Sequence, residues 1–373
     1  MVGHRISAQD LSRHAVLAAR WQAHGLDSCD GSVDLVLRLG VQDTPYGSAA
    51  RALVARGAAA DVPAGPLVWS WRGAPHLHRP GDLPALAAAL WPVSDADATK
   101  RIATTSIRQG AKRGVEAFTA AATAMREAVT ERLPKGEVST LVSERVPADL
   151  TYDCEPCGSR HVSGALFQQV GLAAGIQVVP QGRSTFLEPL PDDLRPAAVP
   201  TAGDGTGEAL RFYVELLGPA SPAHLAAFLG TTVGVAKTLV PAGLVEVDGP
   251  AGPGWTTPEA LARARVAPAP RATRLVPPSD PWLQARDREV LVPDPERRKV
   301  VWRVLGNAGA VLVDAEVAGV WRATTTRGRF VVTVETFEPP TSALRGEVEV
   351  EAQRIAAAGG PEEPGPVEVV FSG

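Results

Sequence analysis

The sequence predicts an α+β chain of three tandem winged-helix modules followed by a small C-terminal β-barrel. Three observations lead there. A stretch near the middle of the chain reads as helix, helix, helix and hairpin; two earlier stretches repeat helices that run into a β segment; and after the Pro-rich linker Ala267-Pro268-Ala269-Pro270 the texture turns to alternating strands. The expected boundaries are 1–94, 95–198 and 199–268 for the modules and 269–373 for the β domain. With 373 residues, 45% of them hydrophobic, the chain has material for several ordinary cores, since single domains usually hold roughly 100–200 residues.

In the first module Ser7 is the expected N-cap of the helix AQDLSRHAVLAARW. The apolar run VDLVLRLGV then leads into a turn at Asp43-Thr44-Pro45 and a helix through SAARALVARG. Leu67 to Trp71 alternate as a strand, and Pro80-Gly81-Asp82 opens the helix LPALAAALW. The second module holds a long helical stretch from Gly114 to Arg132, a short helical region after Lys135-Gly136-Glu137 and a β segment over Arg183–Leu187.

The third module carries the sharpest punctuation. GEALRFYVELLG is stopped by Gly218-Pro219; in SPAHLAAFLG, Ser221 caps, Pro222 takes the first helical position and Gly230 ends the helix; TTVGVAKTLVPAGL supplies the next helix and VEVDGPAGPGWTT a hairpin. Two short helices joined by a tight turn before a hairpin make the winged-helix order, whose second helix is shaped for the major groove. That helix offers only Lys237 and a few threonines, so a scaffold module that never reads bases is an equal reading. In the β domain VVWRVLG, GAVLVDAEVAGVWRATTTRGRFVVTVETFE and VEVVFSG are expected strands, with turns at Gly306-Asn307 and Arg327-Gly328.

Charge and cysteine usage narrow the partners. The N-terminus lacks an apolar signal core and no run of about 20 apolar residues follows, so a cytoplasmic protein without a membrane span is expected. Net charge is −4, which argues against nonspecific attraction to nucleic acid. Its distribution argues the other way. Between Lys100 and Lys135 stand eight cations (Lys100, Arg101, Arg108, Lys112, Arg113, Arg126, Arg132, Lys135) and three anions (Glu116, Glu127, Glu131). They are either a solvated helix face or a phosphate-binding surface. The tip Thr324-Thr325-Thr326-Arg327-Gly328-Arg329 presents hydroxyls and two guanidiniums, chemistry suited to phosphate or minor-groove contact, although charged hairpin tips are also ordinary surface.

Two further clusters stand out. His76 and His78 lie two apart, which on a strand puts both on one face together with Arg72; they either meet nucleic acid or are satisfied by nearby carbonyls. Cys154, Cys157 and His161 have metal-like spacing but lack a second Cys-x-x-Cys pair, so the segment reads as an incomplete metal site, a redox dithiol or a tight turn, and no metal or other cofactor is assigned. Cys29 adds nothing to either reading.

These residues reach a resemblance. Leu275-Val276-Pro277-Pro278-Ser279-Asp280-Pro281-Trp282-Leu283 with Arg286-Asp287-Arg288, followed by Val311-Leu312-Val313-Asp314 and Val317-Ala318-Gly319-Val320-Trp321-Arg322, resembles the C-terminal signature of the AlkZ-like winged-helix DNA glycosylases. Trp71-Arg72-Gly73-Ala74-Pro75-His76-Leu77-His78 resembles the family's RG-x-x-H segment. Leu39-Gly40-Val41-Gln42-Asp43 falls where the family carries its catalytic Gln-x-Gln or Gln-x-Asp motif.

The resemblance implies a C-shaped set of three winged-helix modules plus a β-barrel that grips duplex DNA and removes alkylated or crosslinked purines; a monomer without a cofactor is the expectation beside it. Hydrolysis of an N-glycosidic bond passes through an oxocarbenium-like transition state, so the site needs a polar group to place water and negative potential beside the sugar. Gln42 and Asp43 are the candidates. With Gln42 matched to the motif's second Gln, the first position is Gly40, a departure that keeps a non-catalytic DNA-binding protein of the same fold as the alternative. The DNA-contacting set implied by position and charge is Arg72, His76, His78, Lys100, Arg101, Arg108, Lys112, Arg113, Lys237, Thr326, Arg327 and Arg329.

Overall fold

The computed structural model describes residues 11–27, 31–59, 65–303, 306, 308–326, 328–359 and 365–372. It is a mixed α+β protein, 44% helix and 22% strand. Two compact units divide it: one holds 1–63, 211–224 and 242–373, the other 64–210 and 225–241. Among the described residues no helix is long and apolar enough to cross a membrane.

The first unit begins with the helix Arg13–Ala23. Ser7 lies outside the described residues, and the cap is Ser12, whose hydroxyl accepts from Ala15 N at 3.2 Å. The helix turns Val16, Leu17, Ala18, Ala19 and Trp21 inward together with Arg20, which is 2% exposed. A buried guanidinium requires a full set of acceptors. Arg20 donates to Asp287 at 2.5 and 3.2 Å and to the carbonyls of Leu217 and Gly218 at 2.6 and 3.1 Å. A second such pair, Arg56 with Asp280, lies wholly out of solvent at 2.8 and 2.9 Å. Beside it Trp282 packs edge-on against Trp21, with ring centroids 5.8 Å apart.

The C-terminal strands of this unit run Thr273–Val276, Gly309–Val313, Glu316–Thr326, Arg329–Thr336 and Val367–Phe371, in that order across one sheet. The first four pair antiparallel and the last pair is parallel. A parallel return needs a long crossover. The helix Ser342–Ala356 supplies it, and its Val348, Ala352 and Ile355 pack with Leu275, Val311, Trp321, Val332 and Val334. Where a small barrel or curled sheet is expected, the described residues form a helix-backed sheet whose order ends at Val367–Phe371 without a pairing back to Thr273–Val276. The expected strand VVWRVLG also differs. Asp294 caps a helix at Pro295, accepting from Glu296 N and Arg297 N, and that helix runs through Val301. Its cap and N1 proline outweigh the β-branched pair Val300-Val301.

The second unit centres on the helix Val115–Ala128. Phe118, Ala121, Ala122 and Met125 on its inner face meet Trp69, Trp91, Val138, Leu166, Phe167, Val178 and Leu187. Around it stand the hairpin Leu67–Trp69 with Pro75–Leu77, the helices Leu83–Ala89, Asp95–Ile102, Lys135–Ser143 and Gly164–Gln169, and a sheet of Leu133–Pro134, Ser184–Pro189 and Ile176–Gln181. Further along the chain come the helices Thr206–Leu217, Pro222–Leu229 and Val233–Thr238 and the hairpin Val245–Gly249 with Gly252–Thr256. Their ends match the caps read from sequence: Pro222 is the first residue of its helix and Gly230 follows its last at φ 74°.

Candidate active site

The Gln42 segment sits in the first unit between two short helices. Asp34–Leu39 ends at Gly40, whose φ of 100° and ψ of 133° lie where a side chain is strained. The position at which the motif comparison finds no side chain is thus one the backbone reserves for glycine. Val41 is fully buried and Gln42 half-buried. After Asp43 the chain reverses through a cis Thr44-Pro45 peptide and Gly47 into the helix Ser48–Val54.

Successive residues of an extended segment point to opposite sides. Gln42 and Asp43 accordingly find separate partners. Gln42 Oε1 accepts from Gln284 Nε2 at 3.3 Å, and the same nitrogen donates to the carbonyl of Ser279 at 3.4 Å. Asp43 turns to the following helix and accepts from Ala49 N at 2.9 Å, so it covers otherwise unsatisfied donors at that helix start. Burial pushes the Asp43 carboxyl above its ordinary value, opposed by the backbone N–H groups of Ala49, Gly47 and Ser48 and by the charge of Arg51. Arg51 lies one helical turn on, its guanidinium 5.6 Å from the Phe330 ring centroid. Burial lowers the Arg51 pKa against the pull of Asp43, and its Nε is buried with no hydrogen-bond partner among the described residues.

Sequence reasoning passed over Gln284 and Arg51. Gln284 follows directly on the Pro-Trp-Leu run of the C-terminal signature, but a separation of 242 residues hides its contact with Gln42. Arg51 is one of two arginines in the stretch SAARALVARG, with no local mark to distinguish it.

In the second unit the structure sorts the expected DNA contacts by exposure. Lys100, Arg108, Lys112 and Lys237 are exposed. Arg113 is partly exposed and pairs with Asp149 at 3.0 Å and Glu116 at 2.7 Å. Arg101 is withdrawn from the surface: its side chain is 6% exposed, pairs with fully buried Asp97 at 2.7 Å and donates to the carbonyl of Leu90. Arg72, at φ 58°, bends back to donate to the carbonyl of Phe228 and lies 5.2 Å from that ring's centroid.

His76 and His78 do share a face, with ring centroids 5.8 Å apart, but it is an inner one. His76 Nδ1 donates to the carbonyl of Ala74 at 2.9 Å and His78 Nε2 shares a hydrogen bond with Ser70 Oγ at 2.9 Å. Burial holds the His76 pKa well below its ordinary value, aided by the neighbouring charges of His78 and Arg72. Of the two readings of this pair, these contacts match satisfaction by neighbouring groups.

At the C-terminal hairpin tip Thr326 is exposed and exposed Arg329 lies 3.6 Å from Glu368, while Arg327 is outside the described residues. Cys154 is a free, half-buried thiol opposite Ser159 in the hairpin Thr151–Cys154 with Ser159–Val162. His161 stacks edge-on with Tyr152 and approaches Ser159 Oγ at 3.3 Å; Gly158, at φ 60°, closes the turn. The Cys157 side chain and Cys29 lie outside the described residues. Among those described, no group of three or more His, Cys, Asp or Glu gathers as a metal site.

Comparison with known proteins bears on the whole chain. No curated protein matches it by sequence at a significant level. A solved structure, the DNA glycosylase AlkZ of Streptomyces sahachiroi, superposes with a TM-score of 0.71 over 98% of this chain and 100% of that one, at 21% identity, a likeness of fold. The family model "DNA glycosylase AlkZ-like" matches residues 19–358. A match that starts in the first helix and passes the helix behind the C-terminal sheet takes in nearly every element described above, and the chain belongs to the AlkZ-like family of DNA glycosylases.

Proposed function

We propose that this protein hydrolyses the N-glycosidic bond of alkylated or crosslinked purines in duplex DNA, with Gln42 placing the attacking water. The observation that carries the reading is the Gln42 amide: it stands at the family's motif position, half-exposed, on a segment fixed at both ends by short helices. Alkylation at purine N7 or N3 makes the base a good leaving group, so the protein needs to supply only orientation and electrostatics. An amide oxygen accepts a hydrogen bond from water and directs its lone pair at the sugar. Asp43, the next residue, adds negative potential near the developing oxocarbenium ion while it covers the helix Ser48–Val54.

The duplex is held by the exposed side chains Lys100, Arg108 and Lys112 with partly exposed Arg113, by Lys237 from the Val233–Thr238 helix, and by Thr326 with Arg329 at the hairpin tip. We read segments 1–94, 95–198 and 199–268 as winged-helix modules, supported most strongly in the third by its order of three helices and a hairpin. The second reading, DNA binding without bond cleavage, is favoured by one observation, that Asp43 is committed to a structural bond.

Duplex containing N7-methylguanine separates the two. Free base is expected from the wild-type protein and should be released far more slowly by Gln42→Ala; Asp43→Asn keeps an acceptor for Ala49 N and isolates the contribution of charge. Tight binding without release from alkylated or crosslinked duplexes would leave only the binding function.

A further inference from the structure

We propose that Gln284 is a positioning residue for this site: its amide fixes which end of the Gln42 amide faces substrate and water. The inference rests on the reading of Gln42 given above. Its geometric core is a chain of forced orientations that starts at a backbone carbonyl, a group that only accepts.

Gln284 Nε2 lies 3.4 Å from the carbonyl oxygen of Ser279 and 3.3 Å from Gln42 Oε1. One NH2 group thus serves two acceptors. With the Gln284 amide turned over, its oxygen would face the Ser279 carbonyl, acceptor against acceptor. With the nitrogen held there, Gln42 must present its oxygen, because a turned Gln42 would set NH2 against NH2. At these lengths each bond is weak, so what they contribute is orientation.

The carbonyl that begins the chain is itself held in place. Ser279 sits at φ 63°, an uncommon conformation for a residue with a side chain, just before Asp280. Asp280 is locked by the solvent-free pair with Arg56 and accepts from Trp282 N at 2.9 Å, and Trp282 is wedged against Trp21 and His24. The turn Pro281–Gln284 that carries Gln284 is therefore built on one of the most buried clusters of the unit.

The orientation matters chemically. Gln42 Oε1 keeps a second lone pair to accept an O–H of water, which leaves the water's own lone pair free to attack. A turned amide would donate into that lone pair and blunt the nucleophile. The two N–H groups of Gln42 remain for acceptors on the nucleotide.

Base release from N7-methylguanine duplex under single turnover tests this. Gln284→Ala should slow release about tenfold, as expected for a loosened catalytic group, with little change in the DNA concentration for half-saturation. Gln284→Glu keeps size and shape but, ionised, only accepts, so it should turn the Gln42 amide and lose more than Gln284→Ala at neutral pH, recovering as the carboxyl is protonated. Neither change should slow release further in a Gln42→Ala background. Equal, pH-independent losses that add to Gln42→Ala would mark Gln284 as merely structural and overturn the proposal.

Wild-type rates in both Gln284 variants beside a strongly slowed Gln42→Ala would overturn it too, leaving Gln42 in place. An active Gln42→Ala would instead remove the reading on which it stands. The contact can also be read without activity. In protein labelled with ¹⁵N-glutamine, the side-chain amide signal missing in Gln42→Ala should move in Gln284→Ala; an unmoved signal overturns the proposal whatever the substrate.

Discussion

At the residue scale, the titratable groups of the interior set a pH limit on stability. His24 and His76, one in each unit, are both buried and both held well below the ordinary histidine value of 6.5, chiefly by burial. Folding keeps each neutral, so between the depressed native value and 6.5 the unfolded chain binds more protons. The stability this represents is complete above 6.5 and is lost as pH falls below it, at up to about 1.4 kcal/mol per pH unit for each histidine. Thermal melts from pH 8 to pH 5 should show a falling Tm, and His76→Asn should flatten part of the slope. An unchanged slope would mean that His76 takes up its proton in the fold as readily as in the unfolded chain. Position along the chain made His76 and His78 legible as a pair but said nothing of depth. A strand face can look at DNA or at the core, and the alternation that aligns two imidazoles is the same in both cases.

At the element scale, the clearest successes and failures share one cause. Caps, N1 prolines and terminal glycines act over three or four residues, and Pro222–Leu229 starts and stops at its sequence signals; Thr232, not singled out from the sequence, caps Val233–Thr238 by accepting from Val235 N. The strand expected from Val300 onward gives way at Val300-Val301 to a helix, because the local signal at Asp294-Pro295 outweighs β-branched texture; residues 304 and 305 lie outside the described residues. Gly40 yields a prediction at this scale. Placing a glutamine there would fill the motif's first position, yet the helix Asp34–Leu39 ends in a conformation with φ 100°. Gly40→Gln should therefore lose about 1–3 kcal/mol in urea unfolding and gain no base-release activity. A gain in rate at unchanged stability would show that the position belongs to the chemistry and not to the helix end.

At the scale of the whole molecule, a chain of net charge −4 must bind DNA through placement of its cations. Arg101 is removed from that supply by Asp97, and Lys100, Arg108, Lys112 and Lys237 remain exposed. Each of the four that contacts a phosphate should reduce the slope of log K against log salt by about 0.9 when changed to alanine, while Arg101→Ala should act through stability instead. Fluorescence anisotropy over a salt series measures the slope, and four unchanged slopes would place the DNA elsewhere. By itself the sequence determined the α+β class, the ends of the helix Pro222–Leu229, the family resemblance and Gln42 as the residue to watch, because caps, periodicity and motif spacing are carried by near neighbours along the chain. Tertiary structure alone decided that the last strand returns parallel behind a helix, that the two histidines are core, that Asp43 caps a helix and that Gln284 meets Gln42. Those outcomes depend on which buried groups must satisfy one another across long separations in sequence, and local patterns do not encode that choice.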